Sequence, residues 1–273
     1  MSPLKFFLHL LFEPLFHALR HRSIVRGFLG KEIGGRYAGS YAGMVWIILE
    51  PLATILIFSF VFTYVFRVSL NMEMDGTASF TVFFLAGYFP WLMLSEALSR
   101  GAGSIVGNST LVTKVIFPVD LLPLSSVLSS FLIHGVGFGL YLIYLAMIGK
   151  VSATWLMLPV LFLLHAVFCC GLSFLVSALV VFIRDVQQAL GLFLMVWFYA
   201  SPVLYPMRLV PEPLRQWIWL NPMSSLIVPF REALLRGMVP WKHVMGFAGL
   251  ALVSYALGAW FFMRSKRAFA DVL

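Results

Sequence analysis

The sequence predicts an all-α integral membrane protein. It has six transmembrane helices, an N-terminal amphipathic interfacial helix and re-entrant helices between spans five and six. Three observations carry this. Of 273 residues, 61% are hydrophobic and only 11% charged, against about 25% charged in soluble domains. Six stretches, roughly 44–66, 80–99, 121–148, 155–183, 187–205 and 243–263, approach or exceed the ~20 apolar residues that cross hydrocarbon. Lysines and arginines lie mainly between these stretches, and more of them on one side. A soluble core could not hide so much apolar surface. The chain therefore divides into a cytoplasmic amphipathic and gate segment (1–43), a six-span domain (44–263) and a cytoplasmic tail (264–273).

In the first 22 residues, Leu4, Phe7, Leu8, Leu11, Phe12, Leu15 and Leu19 share one side of a helix, and Lys5, His9, Glu13, His17 and Arg20 the other. Such a helix lies in the interface rather than crossing it. The charged residues also interrupt any signal-peptide apolar region. His9, Glu13, His17 and His21 recur every fourth residue, but Pro14 breaks the stripe and no HExxH follows, so a solvated face is preferred to a metal site.

Residues 36–51 read RYAGSYAGMVWIILEP, a basic, glycine-rich stretch running into the first span. Within that span Phe58, Phe62 and Phe66 repeat at four-residue spacing. Trp197, Phe198 and Tyr199 form a second aromatic group in the fifth span. Aromatic faces suit the apolar faces of sugar rings, although packing alone accounts for these residues nearly as well. Trp46, Trp91, Trp155 and Trp241 fall at predicted span ends, as interfacial tryptophans do.

The second connection, 108–118, reads NSTLVTKVIFP, a short amphipathic helix stopped by proline. Leu111, Val115 and Phe117 would plug a groove in a soluble partner while Lys114 stays solvated. In the third span, Gly135 and Gly139 have the spacing that permits close helix packing. Cys169 and Cys170 are adjacent on a predicted helix and point apart, so they read as small buried side chains. Glu50, Glu96, His134 and His165 are isolated ionisable residues near or within spans. Each is a functional candidate by position, and a hydrogen bond between helices serves the two histidines as well. The fifth connection, 206–242, combines an apolar pattern with six prolines. It predicts two short helices hinged at Asn221-Pro222 that dip into the membrane and return.

Lysine and arginine divide twelve to seven between the two sides, placing both termini in the cytoplasm. The net charge of +8 is scattered rather than gathered on one face. This points to anionic headgroups or an anionic lipid-linked substrate, and away from nucleic acid. Gly30-Lys31-Glu32 lacks the spacing and hydroxyl residue of a phosphate-binding loop. If ATP drives this chain, a separate polypeptide must bind it. The clustered acids of a membrane transferase are also missing.

Four stretches resemble one family, the ABC-2 type permeases of polysaccharide-export ABC transporters. RYxxSxxGxxW (36–46) resembles the start of its first span, and 108–118 its coupling helix. SPVLYP (201–206) resembles the end of its fifth span, and Leu220-Asn221-Pro222 through Arg231 and Gly237 its re-entrant segment. Glu50 departs from the pattern, where a neutral polar residue is common. The resemblance implies a homodimer in the bacterial inner membrane, joined to two ATP-binding subunits that hold ATP and Mg. This chain itself would carry no cofactor and perform no covalent chemistry. The implied cargo is an undecaprenyl-pyrophosphate-linked glycan, O-antigen first and capsule next, with a small hydrophobic drug or lipid as the alternative. Arg26, Lys31 and Arg36 would dock the pyrophosphate and Tyr37 would sit at the sugar gate. Phe58, Phe62, Phe66, Trp197 and Tyr199 would line the conduit. Leu111, Lys114, Val115 and Phe117 would couple to the ATPase.

Overall fold

The computed structural model describes residues 13–273, apart from 15, 71–76, 78 and 116. Most of the predicted interfacial helix lies outside these residues. Residues 16–20 are helical and lead into α1 (Arg22–Arg36). The other helices are α2 (Trp46–Phe60), α3 (Phe80–Gly103), α4 (Ser109–Lys114), α5 (Leu121–Met147), α6 (Leu158–Phe182), α7 (Asp185–Ala200), α8 (Glu212–Leu220), α9 (Pro222–Arg231), α10 (Trp241–Ser265) and α11 (Phe269–Val272). Extended pairing among the described residues is confined to one bridge, Ser69 with Ser79.

Among the described residues, five helical runs are long and apolar enough to cross a membrane: Gly43–Val65, Phe80–Gly103, Leu121–Met147, Ala153–Phe182 and Trp241–Val272. The predicted fifth span, 187–205, behaves differently. Its helix α7 has 16 residues, about 24 Å at 1.5 Å per residue, short of the ~30 Å hydrocarbon core. Pro202 disfavours helical backbone at the residue before it, and Ser201 is extended (φ −100°, ψ 146°). The chain nonetheless continues along α3. Gln187 lies against Gly103, the last residue of α3, while the carbonyls of Pro202 and Val203 meet Arg231 beside Phe83, in the first turn of α3.

Helix α3 is the central post, mostly buried from Thr81 to Ala102. It packs on α5 and α6, and α6 packs most extensively on α10. That last pairing depends on small residues. A Cβ at Gly258 would collide with the Gly171 backbone, and one at Gly171 with the backbone of Ser254 and Tyr255. Among the described residues of this chain, the close approach is not at Gly135 or Gly139, where a Cβ would have no neighbour within 4 Å. Between them, a Cβ at Gly137 would sit 2.7 Å from both Pro51 and Phe89.

One end of the bundle gathers the first and last described residues. His17 Nδ1 pairs with Asp120 at 2.9 Å, Lys266 with Glu13 at 2.8 Å, and α11 packs on α4. Burial is the larger influence on Asp120, which is 1% exposed, and raises its pKa; His17 opposes it. Glu13 and His17, two members of the histidine stripe, are thus held by charged partners. At the opposite end, Thr154 Oγ1 donates to Ala233 O at 2.6 Å.

Candidate functional site

At the terminal end, α1 lies along α5 because Glu32 accepts from Ser126 Oγ at 2.7 Å and also from Ser129 Oγ. This brings the basic side of α1 to the end of α3. Lys31 Nζ donates to Asn108 Oδ1 at 3.2 Å. Arg36 pairs with Glu96 and reaches Glu50 at 3.5 Å. Glu96 also meets Arg100 Nε at 2.6 Å and His134 Nε2 at 2.7 Å. Two candidates that look isolated in sequence, Glu96 and His134, are therefore one cluster. The i, i+4 spacing of Glu96 and Arg100 was its visible part.

A cavity of ≈ 240 Å³ is lined by Lys31, Glu32, Arg36, Arg100, Ser104 and Asn108. Its three cations face Glu32 in the wall and Glu96 and Glu50 beside it, so an anion reaching Arg36 must compete with carboxylates. Arg26 is exposed and is not among the residues lining this cavity.

The segment after α1 turns on Gly39 (φ 78°) and Gly43 (φ 50°), left-handed conformations that favour glycine. Trp46 Nε1 donates to Ser40 Oγ at 2.9 Å, giving the Ser–Trp spacing a direct role. Tyr37 is 7% exposed, and its hydroxyl approaches Glu50 Oε2 at 3.5 Å. Burial, opposed by Arg36, raises the phenol pKa, so Tyr37 remains a neutral donor. Beyond it a cavity of ≈ 360 Å³ is lined by Trp46, Glu50, Thr54, Tyr88, Leu92 and His134.

The aromatic candidates divide by position. Phe58 stacks on Phe62 at 5.6 Å, and both turn into α3, against Phe84 at 4.6 and 5.3 Å. Phe62 is buried, while Phe66 and Tyr199 are exposed. Trp197 meets Trp91 edge-on at 5.8 Å, and Phe198 meets Tyr88 at 6.5 Å. An aromatic seam thus joins α2, α3 and α7. The remaining faces of the Gly43–Val65 run and of α7 are largely apolar and exposed, including Leu52, Leu56, Phe60 and Tyr64 on one, and Leu192, Phe193 and Val196 on the other.

The coupling candidates also separate. Leu111 shares a cavity wall with Ile24, Gly27, Phe28 and Lys31, and Phe117 meets the Phe28 ring at 5.4 Å. Both therefore face α1. Val115, 54% exposed, and Lys114, also exposed, point away from the bundle.

The predicted hinge is present at Asn221, between α8 and α9. Its side chain accepts from Met223 N at 3.0 Å and Trp197 Nε1 at 2.8 Å, and donates to Ala200 O at 3.1 Å. Trp197 touches Trp91, which lies not at a span end as expected but eleven residues into α3, about 16 Å along its axis. From there α9 returns, buried against α3, α6 and α10. At its end Arg231, 6% exposed, donates from Nε to Phe83 O at 3.1 Å, from Nη2 to Val203 O at 2.6 Å and from Nη1 to Pro202 O. Its guanidinium lies 3.6 Å from the Phe83 ring centre. Sequence reasoning gave Arg231 no site role; its position within the resembling segment was the available signal.

The profile of the ABC-2 type transporter family matches residues 26–235, from α1 through the turn following α9. The chain belongs to the ABC-2 type transporter family. An O-antigen export system permease protein, RfbA, of Klebsiella pneumoniae is 28% identical over 230 residues, covering 84% of this chain and 86% of the relative. RfbA of Myxococcus xanthus is 27% identical over 260 residues, covering 92% and 96%. The polysialic acid transport protein KpsM of Escherichia coli is 24% identical over 197 residues, covering 71% and 74%. As an ABC-2 member the chain is a transport subunit, and ATP hydrolysis belongs to a separate ATPase subunit.

Proposed function

We propose that this chain is the permease subunit of an ABC transporter that exports an undecaprenyl-pyrophosphate-linked polysaccharide, O-antigen first and capsule next, across the bacterial inner membrane. Similarity to O-antigen export permeases over 84–92% of the chain carries this reading. In it, residues 185–206 complete a sixth crossing, and α8 and α9 form a re-entrant pair. The positions of Gln187, Val203 and Asn221 along α3 support both assignments. The lysine–arginine bias places the terminal end in the cytoplasm.

A second copy would cover the exposed faces of α2 and α7 and close the conduit between them. The aromatic seam behind those faces gives it a stiff wall, and the exposed Phe66 and Tyr199 offer rings to a passing sugar. At the cytoplasmic mouth, Arg26 and Lys31 meet the diphosphate first. Arg36 follows by exchanging Glu96 for phosphate, and this moves the Tyr37 turn between its two glycine hinges. ATP-driven closure of the two partner subunits pushes on the exposed side of α4, at Lys114 and Val115. Leu111 and Phe117 pass that push to α1.

Deletion of the gene tests the function. Surface glycan should fall while lipid-linked glycan accumulates inside the cell. Normal surface glycan would refute the reading in favour of a drug or lipid cargo; loss without internal accumulation would refute it in favour of biosynthesis.

A further inference from the structure

The tail beyond α10 carries Arg264, Lys266 and Arg267 within four residues, a composition suited to a solvated segment. It is tied down instead. Lys266 Nζ meets Glu13 at 2.8 Å, the backbone turns once through Lys266–Ala268, and Phe269, which opens α11, is 0% exposed. The Phe269 ring lies 5.5 Å from Phe262 in α10 and 5.9 Å from Phe182 at the end of α6. Tail segments stay ordered only where something holds them, and here a buried ring does. Helix α11 also packs on α4, and Val112 on α4 and Leu273 just past α11 are both half-buried against the same core. Helix α4 needs such support. It has six residues and no side-chain cap, far below the ~12–15 residues at which an isolated helix becomes even marginal, so its position is set by what it packs against.

We propose that α11 positions α4 for coupling to the ATPase subunit, with Phe269 as the positioning residue. Close-packed interiors transmit displacement rather than absorb it. Leu111 and Phe117 face α1, which gives α4 one support. Phe269 gives it a second, reaching the ends of α6 and α10 through Phe182 and Phe262. A push on α4 is therefore divided between α1 and the α6–α10 pair. Without the ring, α4 loses its hold on that pair and yields locally instead of moving the bundle. This role presupposes the assignment of α4, made above, as the element that the ATPase pushes.

The experiment uses the purified complex of this chain with its ATPase partner. A nitroxide on Thr113→Cys, exposed on α4, reports the mobility of that helix; the native Cys169 and Cys170 are buried and stay unlabelled. In Phe269→Ala the label should become more mobile. Stimulation of ATP hydrolysis by lipid-linked glycan extracted from the deletion strain should fall about tenfold with KM for ATP unchanged, since misplacing a distant element by ~1 Å can cost as much as ~100-fold. Phe269→Leu should recover most of both. Phe182→Ala removes a 42% exposed neighbour of the same ring, so it spares the fold and should shift both readouts the same way by less. The control Phe247→Ala removes an equally buried ring of α10 that meets Phe168. It should lower the unfolding temperature yet leave label and stimulation as in the wild type. An unchanged label or unchanged stimulation in Phe269→Ala would overturn the proposal, as would equal effects of Phe247→Ala. Val115→Asp locates the failure. If it abolishes stimulation while Phe269→Ala does not, the role of α11 alone is refuted; if it too leaves stimulation intact, the coupling role of α4 is refuted with it.

Discussion

Replacing Arg231 with methionine keeps most of the side-chain length and removes every donor. Three backbone carbonyls lose their partner: Phe83 in α3, and Pro202 and Val203 just past α7. An orphaned buried acceptor costs about 1–3 kcal/mol, and interhelical hydrogen bonds in bilayers fall near the bottom of that range. Loss of the guanidinium over Phe83 adds about 0.5–2 kcal/mol. Relief of a buried charge offsets part of this, so the net destabilisation should be roughly 2–4 kcal/mol. Thermal unfolding of the purified complex, followed by tryptophan fluorescence with Trp197 close by, measures it. Arg231→Lys should recover part of the loss, because an ammonium cannot serve all three carbonyls with the same fork. Gly87 supplies an independent handle, since a Cβ there would sit 2.9 Å from Arg231 Nη2 and 3.0 Å from Ile227 Cγ2. Gly87→Ala should therefore destabilise the wild type more than the Arg231→Met variant, a non-additive pair. Equal stability of Arg231→Met and wild type, within about 1 kcal/mol, would refute the clamp.

Other outcomes follow from single contacts. Val115→Asp should abolish substrate-stimulated ATP hydrolysis while leaving unfolding temperature unchanged; Leu111→Asp should lower the unfolding temperature because Leu111 faces α1. Gly258→Ala should cost about 1–3 kcal/mol by overpacking the α6–α10 contact, read from thermal unfolding. Asp120 has a raised folded pKa, so the folded state holds its proton more tightly than the unfolded one and stability falls as pH rises from about 4 through the raised value. Asp120→Asn should flatten that slope in a series of unfolding temperatures against pH. An unchanged slope would remove Asp120 as its source.

Much of the fold was legible because hydrocarbon permits few solutions. Spans one to four and six appear within a few residues of their apolar stretches, and the Asn221 hinge lies where asparagine and proline place it. In the fifth stretch the helix stops at Ala200, because Pro202 disfavours helical backbone before it while apolar composition continues through Ser201-Pro202-Val203. Gly135 and Gly139 show the limit of spacing arguments: the motif permits close approach but does not say which helix arrives. The charged cluster at the end of α1 was half legible. Arg36 and Tyr37 stood out, yet Glu96, Arg100 and His134 became a cluster only when α3, α5 and the segment after α1 met.

The sequence by itself determined the solvent, the helical class and the approximate bounds of most segments, because apolar length answers directly to the bilayer. Tertiary structure decided which side chains share a site. It turned Phe58 and Phe62 into the α3 seam, set Leu111 against α1 while leaving Val115 outside, and made Arg231 a buried clamp. These outcomes depend on residues distant in the chain, whose contacts are fixed by packing rather than by local pattern.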